Sequence, residues 1–383
     1  MRILHTADWH LGRVFHGVHL TEDQAHLLNQ LVELARDSRC DAVIVAGDVY
    51  DRAIPPAEAV DLLDTTLCKL VLDVGVQTIV IAGNHDSGRR VGFAARVLTH
   101  QGLHMVGEVS AETEPIVLHD DAGAVHVYPL AYAEPAVVRE RLGDDGLHTH
   151  QDALAAQLAG IRPRQPKGVR SVVIAHCFVA GGQASESERP LSVGGAEAVE
   201  PACFDGFEYV ALGHLHAPQA FGRRIHYSGS LMKYSFSEAG QQKALKLVEM
   251  DARGGCRVEH VRLTPRRDLR CVKGSMREIL AGAPGDPAAD DYLMVTLLDT
   301  GPILDAMGRL REVYPNVLHI ERPALFAEPR AAEARTDHRK MTDAELFAAF
   351  CAQVTDEELT DAQAKAYAAV VDGMRRTERE GDA

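Results

Sequence analysis

The chain has 383 residues, 46% hydrophobic and 25% charged, with a formal net charge of −15. That composition excludes a disordered or fibrous protein and implies one large core with one or two smaller units. No uninterrupted apolar run approaches the roughly 20 residues that a membrane helix needs, and the acidic balance argues against a simple nucleic-acid binder with one basic face.

The N-terminus "MRILHTADWH" enters a strand at once, Arg2 to Thr6, instead of forming a signal peptide, so a cytoplasmic protein is expected. A helix follows from the capping-box candidate Thr21-x-x-Gln24. Then come a strand at Ala42 to Ala46, a helix after Pro55 and Pro56, and a strand at Thr78 to Ala82. This alternation predicts βαβ units and a mostly parallel centre. From Pro115 to about Leu130 the pattern shifts to short alternating strands. A helix near Asp152 to Leu158 and strands at Ser171 to Cys177 and Tyr209 to His216 come next. Runs at Ile225 to Tyr227, Ala244 to Met250 and Arg257 to Leu263 predict antiparallel strands. An α/β fold, a two-layer β-sandwich flanked by helices, accommodates the mixture.

The segment "TPRRDLR", Thr264 to Arg270, marks a candidate boundary, which makes residues 1–264 the main domain. After it, "YLMVTLL", a helical stretch from Ile303 to Val313 and "VLHIE" predict one β-α-β unit, a small α+β domain over 265–330. Residues 331–383 are expected to hold a charged linker, Glu333 to Met341, and two short amphipathic helices. Thr342-x-x-Glu345 precedes Leu346, Phe347, Phe350 and Val354, and Thr360-x-x-Gln363 precedes Tyr367, Val370, Val371 and Met374. Such a pair is too small for a core of its own, so it packs back on the body or docks on a partner. The seven cysteines form no C-x-x-C pair, and reduced thiols are expected.

Five strands end on the same kind of group. "RILHTADWH" runs into Asp8 and His10, "DAVIVAGDVYD" into Asp48 and Asp51, and "TIVIAGNHD" into Asn84, His85 and Asp86. "SVVIAHC" runs into His176 and "YVALGHLH" into His214 and His216. One Gly-Asn-His-Asp alone is an ordinary turn. Five such ends can converge, because ligands of α/β sheets gather beyond the carboxyl ends of the strands. Asp8, His10, Asp48, Asn84, His176, His214 and His216 offer carboxylate, amide and imidazole donors suited to manganese, magnesium, iron or zinc. They are too many for one ion. With Asp48 bridging, they divide into Asp8, His10 and His216 on one ion and Asn84, His176 and His214 on another, an arrangement suited to phosphate-ester hydrolysis. The D-x-H spacing on an extended segment would send Asp8 and His10 to one side, and likewise His214 and His216.

"DWH", "GDVYD", "GNHD", "AH" and "GHLH", in that order, resemble the five motifs of the calcineurin-like metallophosphoesterases. The longer strings "DWHLGR", "AGDVYDR", "AGNHDS", "ERPLSVGG", "ALGHLHAPQ" and "YSGSLMKYSFSE" resemble the SbcD family, the bacterial branch of the double-strand-break-repair nucleases. The resemblance covers Met1 to about Leu263. It implies a DNA nuclease acting on duplex ends and hairpins, with two divalent ions, manganese first and magnesium second, and a nucleoid-associated place in the cytoplasm. It also implies a DNA-capping domain, helices that bind an SbcC-like ATPase, and a homodimer within a heterotetramer. In that family the GNHD histidine, here His85, is not a ligand but stabilises charge and protonates the leaving oxygen, and Asp86 would orient its ring. Archaeal and eukaryotic relatives carry a histidine where this chain has Asp51, so that role passes to no residue here. A small-molecule phosphatase of the same fold and a catalytically silent scaffold are the competing readings.

Overall fold

The apolar runs of the first unit, Met1–Leu269, build two six-stranded sheets in the computed structural model, which describes residues 1–191, 198–323, 343–355 and 359–381. The first sheet runs in the order Cys256–Arg262, Ala244–Met250, Arg2–Thr6, Ala42–Ala46, Gln77–Ile81, Leu103–Val106. Its last four strands are parallel and its first two antiparallel. The second runs Gln219–Phe221, Ile225–Tyr227, Tyr209–Gly213, Arg170–His176, Gly123–Leu130, Ile116–Asp120. Here Ile225–Tyr227 meets the antiparallel expectation on one side only, against Gln219–Phe221. It lies parallel to Tyr209–Gly213, because the intervening chain adds the edge strand Gln219–Phe221 and reverses at Gly222, whose φ is 66°.

Alternate residues of the two sheets meet in one core: Ile3, Ile44, Ile79 and Val248 from the first, and Val127, Val172, Ile174 and Ala211 from the second. The far face of the second sheet packs with the helix His150–Ile161 through Leu154, Leu158 and Ile161. Helix Thr21–Asp37 buries Leu27, Leu28, Leu31 and Val32, the apolar stripe of its 3.6-residue period. The fold is thus the expected two-layer sandwich flanked by helices.

A polar seam interrupts that core. His5 lies 2.9 Å through Nδ1 from the Tyr209 hydroxyl and 3.1 Å through Nε2 from the Leu212 carbonyl. Lys246 stands beside His5 in register, and its Nζ is 2.8 Å from Nε2 of His260 on the next strand. Among the described residues no carboxylate is paired with this fully buried lysine.

The second unit, Arg270–Ala383, has its own core. Strands Leu269–Gly274, Tyr292–Leu297 and Val317–Glu321 form a three-stranded sheet, the last two parallel as a β-α-β crossover requires. Leu293, Val295 and Val317 pack with Ile279 and Leu310 from helices Met276–Gly282 and Ala306–Arg311. Ser275 and Glu278 form a capping box at the first of these helices. The linker expected over 333–341 and Thr342 lie outside the described residues. Helices Asp343–Thr355 and Asp361–Gly381 are present, and Gln363 accepts from the Thr360 N–H at 2.9 Å, the cap expected there. Phe347 and Tyr367 stack with ring centroids 4.0 Å apart, so part of the amphipathic surface closes between the two helices, while Phe350 and Val370 are 60% and 62% exposed.

Burial pushes the Lys246 ammonium from 10.5 down to about 8. Its folded value lies below its unfolded one, so the cost to stability is full below about pH 8 and fades as the pH rises toward 10.5. Lys246→Met should therefore raise the melting temperature at pH 7, with the gain shrinking between pH 8 and 10.5, as calorimetry across that range would record.

Candidate metal centre

Asp8 and His10 lie just past strand Arg2–Thr6, and Asp48 just past Ala42–Ala46. The two loops bind each other through the backbone. Asp8 N–H donates to the Gly47 carbonyl at 3.0 Å, His10 N–H to that of Asp48 at 3.0 Å, and Leu11 N–H to that of Val49 at 2.9 Å. In this arrangement Asp8, His10 and Asp48 are left-handed, with φ of 52°, 46° and 48°, and His214 has φ 107°. Left-handed backbone at a non-glycine residue costs on the order of 1–3 kcal/mol and clusters at functional sites. The expectation that D-x-H runs on as extended chain is corrected here: a curl, not the pleat of a strand, aims Asp8 and His10. Two glycines make room. A Cβ on Gly47 would run into the His176 ring, and one on Gly83 into the Asp48 carboxylate.

All five strand ends meet in this cluster. Donor atoms of Asp8, His10 and His216 lie within 4.8 Å of one another, as do those of Asp8, Asp48 and His176. Asp48 Oδ2 stands between the two groups, 3.8 Å from His10 Nε2 and 3.5 Å from His176 Nε2. Asn84 Oδ1 is 2.9 Å from His176 Nε2. The His214 ring centroid is 5.4 Å from that of His176, and His214 N–H donates to both Asp8 oxygens at 3.0 and 3.1 Å.

The proton inventory shows what the cluster fits. His176 Nδ1 lies 2.9 Å from the Ala46 carbonyl, which can only accept, so its Nε2 points a lone pair at Asn84 Oδ1 and Asp48 Oδ2. His216 Nδ1 is 2.6 Å from the Ser187 hydroxyl, which passes its own proton to Glu238, so His216 Nε2 also presents a lone pair, 3.0 Å from His10 Nε2. Electron-pair donors facing each other in a buried site need a cation between them. A proton can serve. Burial works against charge on His176, yet Asp48 and Asp8 lift it to about 9. Burial likewise opposes charge on Asp48, but His176, His10 and His85 hold it well below the usual carboxylate range. Burial leaves Asp8 well above its ordinary value and His10 and His214 well below theirs. A buried set poised this way is what divalent ions require, since they bind neutral imidazole and carboxylate and displace protons.

His85 is 9% exposed, with Nδ1 2.9 Å from the Asp51 carbonyl and Nε2 3.9 Å from Asp48 Oδ2. Asp86 does not orient that ring. Its carboxylate accepts backbone N–H groups from Val49 (3.0 Å), Tyr50 (2.9 Å) and Gly83 (2.9 Å), stapling the second strand-end loop to the third, while the His85 ring bonds the Asp51 carbonyl instead.

Several positioning residues carry no signal in a strand-end pattern. Glu238, fully buried, sits 2.6 Å from Lys243 Nζ; burial would raise its carboxyl, but the His216 hydrogen bond and Lys243 hold it at about 2. Glu188 accepts the His216 N–H at 2.6 Å. Gln24 does not cap its helix. The N-cap is Leu20, the Thr21 hydroxyl finds no partner among the described residues, and the Gln24 amide instead donates to the carbonyls of Trp9 (3.1 Å) and His10 (2.8 Å).

Residues 1–218, more than half of the chain, match the calcineurin-like phosphoesterase family. The chain belongs to that family. Residues 265–355 match a second family, the SbcD C-terminal domain, described as the type 5 capsule protein repressor C-terminal domain. A calcineurin-like phosphoesterase followed by this domain supports the SbcD branch of the superfamily. Among solved structures, TT1561 of Thermus thermophilus is 14% identical, with 68% of this chain and 99% of that one covered and a TM-score of 0.39. A dimetal phosphatase from Danio rerio is 13% identical over 65% and 92% of the chains, with a TM-score of 0.38. GAP50, the anchor in the inner membrane complex of Plasmodium, is 10% identical over 87% and 99%, with a TM-score of 0.36. Membership in the calcineurin-like phosphoesterases makes the protein a metal-dependent hydrolase, with His and Asp clusters compatible with a dimetal site. No helix among the described residues is long and apolar enough to cross a membrane.

Asp86→Ala would strip three backbone N–H groups of their acceptor. At about 1–3 kcal/mol for each buried donor left unsatisfied, the melting temperature of the variant should fall by many degrees. Unchanged thermal stability with reduced activity would instead mark Asp86 as a group acting on His85.

Proposed function

We propose that the chain is the nuclease subunit of an SbcD-type complex and hydrolyses DNA phosphodiesters, as an exonuclease at duplex ends and an endonuclease at hairpins, in DNA break repair. The observation that carries the reading is the convergence of donor residues from five strand ends, with the His176 and His216 lone pairs facing inward, in a chain that also matches the SbcD C-terminal domain. Asp8, His10 and His216 would hold one ion, Asn84, His176 and His214 a second, and Asp48 both. The donor set suits manganese first and magnesium second. When bound, the pair supplies Lewis acidity toward a phosphoryl centre.

The chain's own contribution is proton placement. His85 donates Nδ1–H to the Asp51 carbonyl, which leaves Nε2 facing the centre. There the doubly protonated ring stabilises charge on the phosphoryl group and hands its Nε2 proton to the leaving oxygen, returning to the neutral Nδ1–H form. Asp86 supports this from outside, by fixing the loop that carries His85. Arg89 and Arg90 follow the GNHDS loop after Gly88, and the Arg89 side chain, 91% exposed and 3.4 Å from Glu108, is placed with Arg90 as a local cationic rim for a DNA backbone on an otherwise acidic protein. Residues 265–330 are proposed to cap the DNA. The exposed Phe350 and Val370 are proposed to dock on an SbcC-like ATPase, and Phe93 and Val97, 79% and 71% exposed, to serve the homodimer within a heterotetramer.

The test is the purified chain with manganese, given linear duplex DNA and p-nitrophenyl phosphates in parallel. Cleavage of DNA is expected; turnover of only the small esters would establish the phosphatase reading, and turnover of neither the scaffold. Asp48→Ala should abolish hydrolysis and lower metal content at both sites by elemental analysis. His85→Ala should keep its metal and slow turnover by roughly 100-fold or more. Phe350→Asp with Val370→Asp should abolish capture of the ATPase partner in a pull-down while leaving nuclease activity intact.

A further inference from the structure

Three residues after Asp48 stands Asp51, which none of the roles above uses for its carboxylate. His10 Nδ1 is buried and has no hydrogen-bond partner among the described residues, and Asp51 Oδ1 lies 3.7 Å from it. The same oxygen receives Arg13 Nη1 at 2.9 Å, and the Arg13 guanidinium in turn lies over the Tyr234 ring, 5.2 Å from its centroid. The Asp51 backbone is committed as well. Its N–H donates to the Leu11 carbonyl at 3.2 Å, and its carbonyl accepts from His85 Nδ1 at 2.9 Å.

We propose that Asp51, braced by Arg13, is a positioning residue that fixes the His10 ring with Nδ1–H outward and Nε2 inward. The inference rests on the reading of His10 as a ligand of the first ion. An imidazole that binds a cation through Nε2 must carry its proton on Nδ1, and a carboxylate on that side favours this tautomer and makes the ring a stronger donor. At 3.7 Å the contact is not a hydrogen bond, but in a buried site the field of the carboxylate still discriminates. The opposite tautomer would turn a lone pair toward Asp51 and a proton toward the His216 lone pair.

Arg13 explains why the carboxylate serves a ring and not an ion. Donor atoms of His10, Asp51 and His85 also lie within 4.8 Å of one another, a third candidate cluster. With Asp51 Oδ1 held by a guanidinium, a cation there would meet a like charge. Asp51 therefore joins both sides of the centre: its side chain faces a ligand, and its carbonyl holds the acid.

Asp51→Asn tests this, since it keeps size and backbone contacts and removes the charge. Chelator-stripped full-length protein is titrated with manganese by calorimetry, and its melting temperature is measured without metal. The wild-type chain should take up two ions. In the variant one affinity should drop about 10–100-fold, the usual scale for losing an outer partner of a metal-bound histidine, while the other changes less than threefold and the metal-free melting temperature holds. kcat on duplex DNA should fall with KM unchanged. Both affinities within twofold of wild type would overturn the inference. Loss of both together with a lower melting temperature would also overturn it, since Asp51 would then be structural only. A wild-type chain that takes up fewer than two ions would sink the two-ion reading and this inference with it.

Discussion

The three backbone bonds between the Asp8–Leu11 loop and the Gly47–Val49 loop are the constraint on which the site hangs. They lie beyond the last residues of two parallel strands, where a sheet would normally splay into unrelated turns. Closing them demands left-handed backbone at Asp8, His10 and Asp48. That demand narrows the residue types at once, since Asp, Asn and His tolerate such angles better than β-branched residues. The same side chains are those able to bind a cation. Backbone conformation and donor chemistry thus select one short alphabet, and buried Gln24 and Tyr234 bond the carbonyls that the first loop leaves over, those of Trp9 and His10.

The sequence disclosed more of the site than of its support. Strand ends carrying Asp8, Asp48, Asn84, His176 and His214 were legible because a short apolar run that stops on a polar group is a local signal. So were the sandwich and the β-α-β unit. Residues that act at a distance were not. Gln24 has the spacing of a cap and is drawn away by two carbonyls that no local pattern reveals. Asp86 has the look of a partner to its neighbour His85 and is captured instead by N–H groups from Val49 and Tyr50, 37 and 36 residues away. Glu238 reaches His216 across 22 residues through a hydroxyl from a third segment. In each case tertiary acceptors or donors outcompeted the local one.

The acidic balance of the chain also takes a different meaning with the geometry in place. Asp8, Asp48 and Asp86 are not surface charges. Asp8 and Asp48 face imidazoles and the lone pairs of a cation-seeking site, and Asp86 is spent on backbone. Their contribution to a repulsive field toward polyanions is therefore smaller than the formal net charge of −15 suggests.

The first sheet has one more consequence, for the order in which the protein comes into being. Arg2–Thr6 pairs on one side with Ala42–Ala46 and on the other with Ala244–Met250, in register Arg2 to Glu249 and His5 to Lys246. The first neighbour leaves the ribosome almost at once. The second follows roughly 240 residues later, about 12 to 48 s at ordinary rates of synthesis. Throughout that interval the N-terminal strand presents an open, apolar edge, the kind of surface on which foreign strands add. The seam-facing His5 lies on this edge, and it places a polar group within the apolar run until Lys246 arrives beside it.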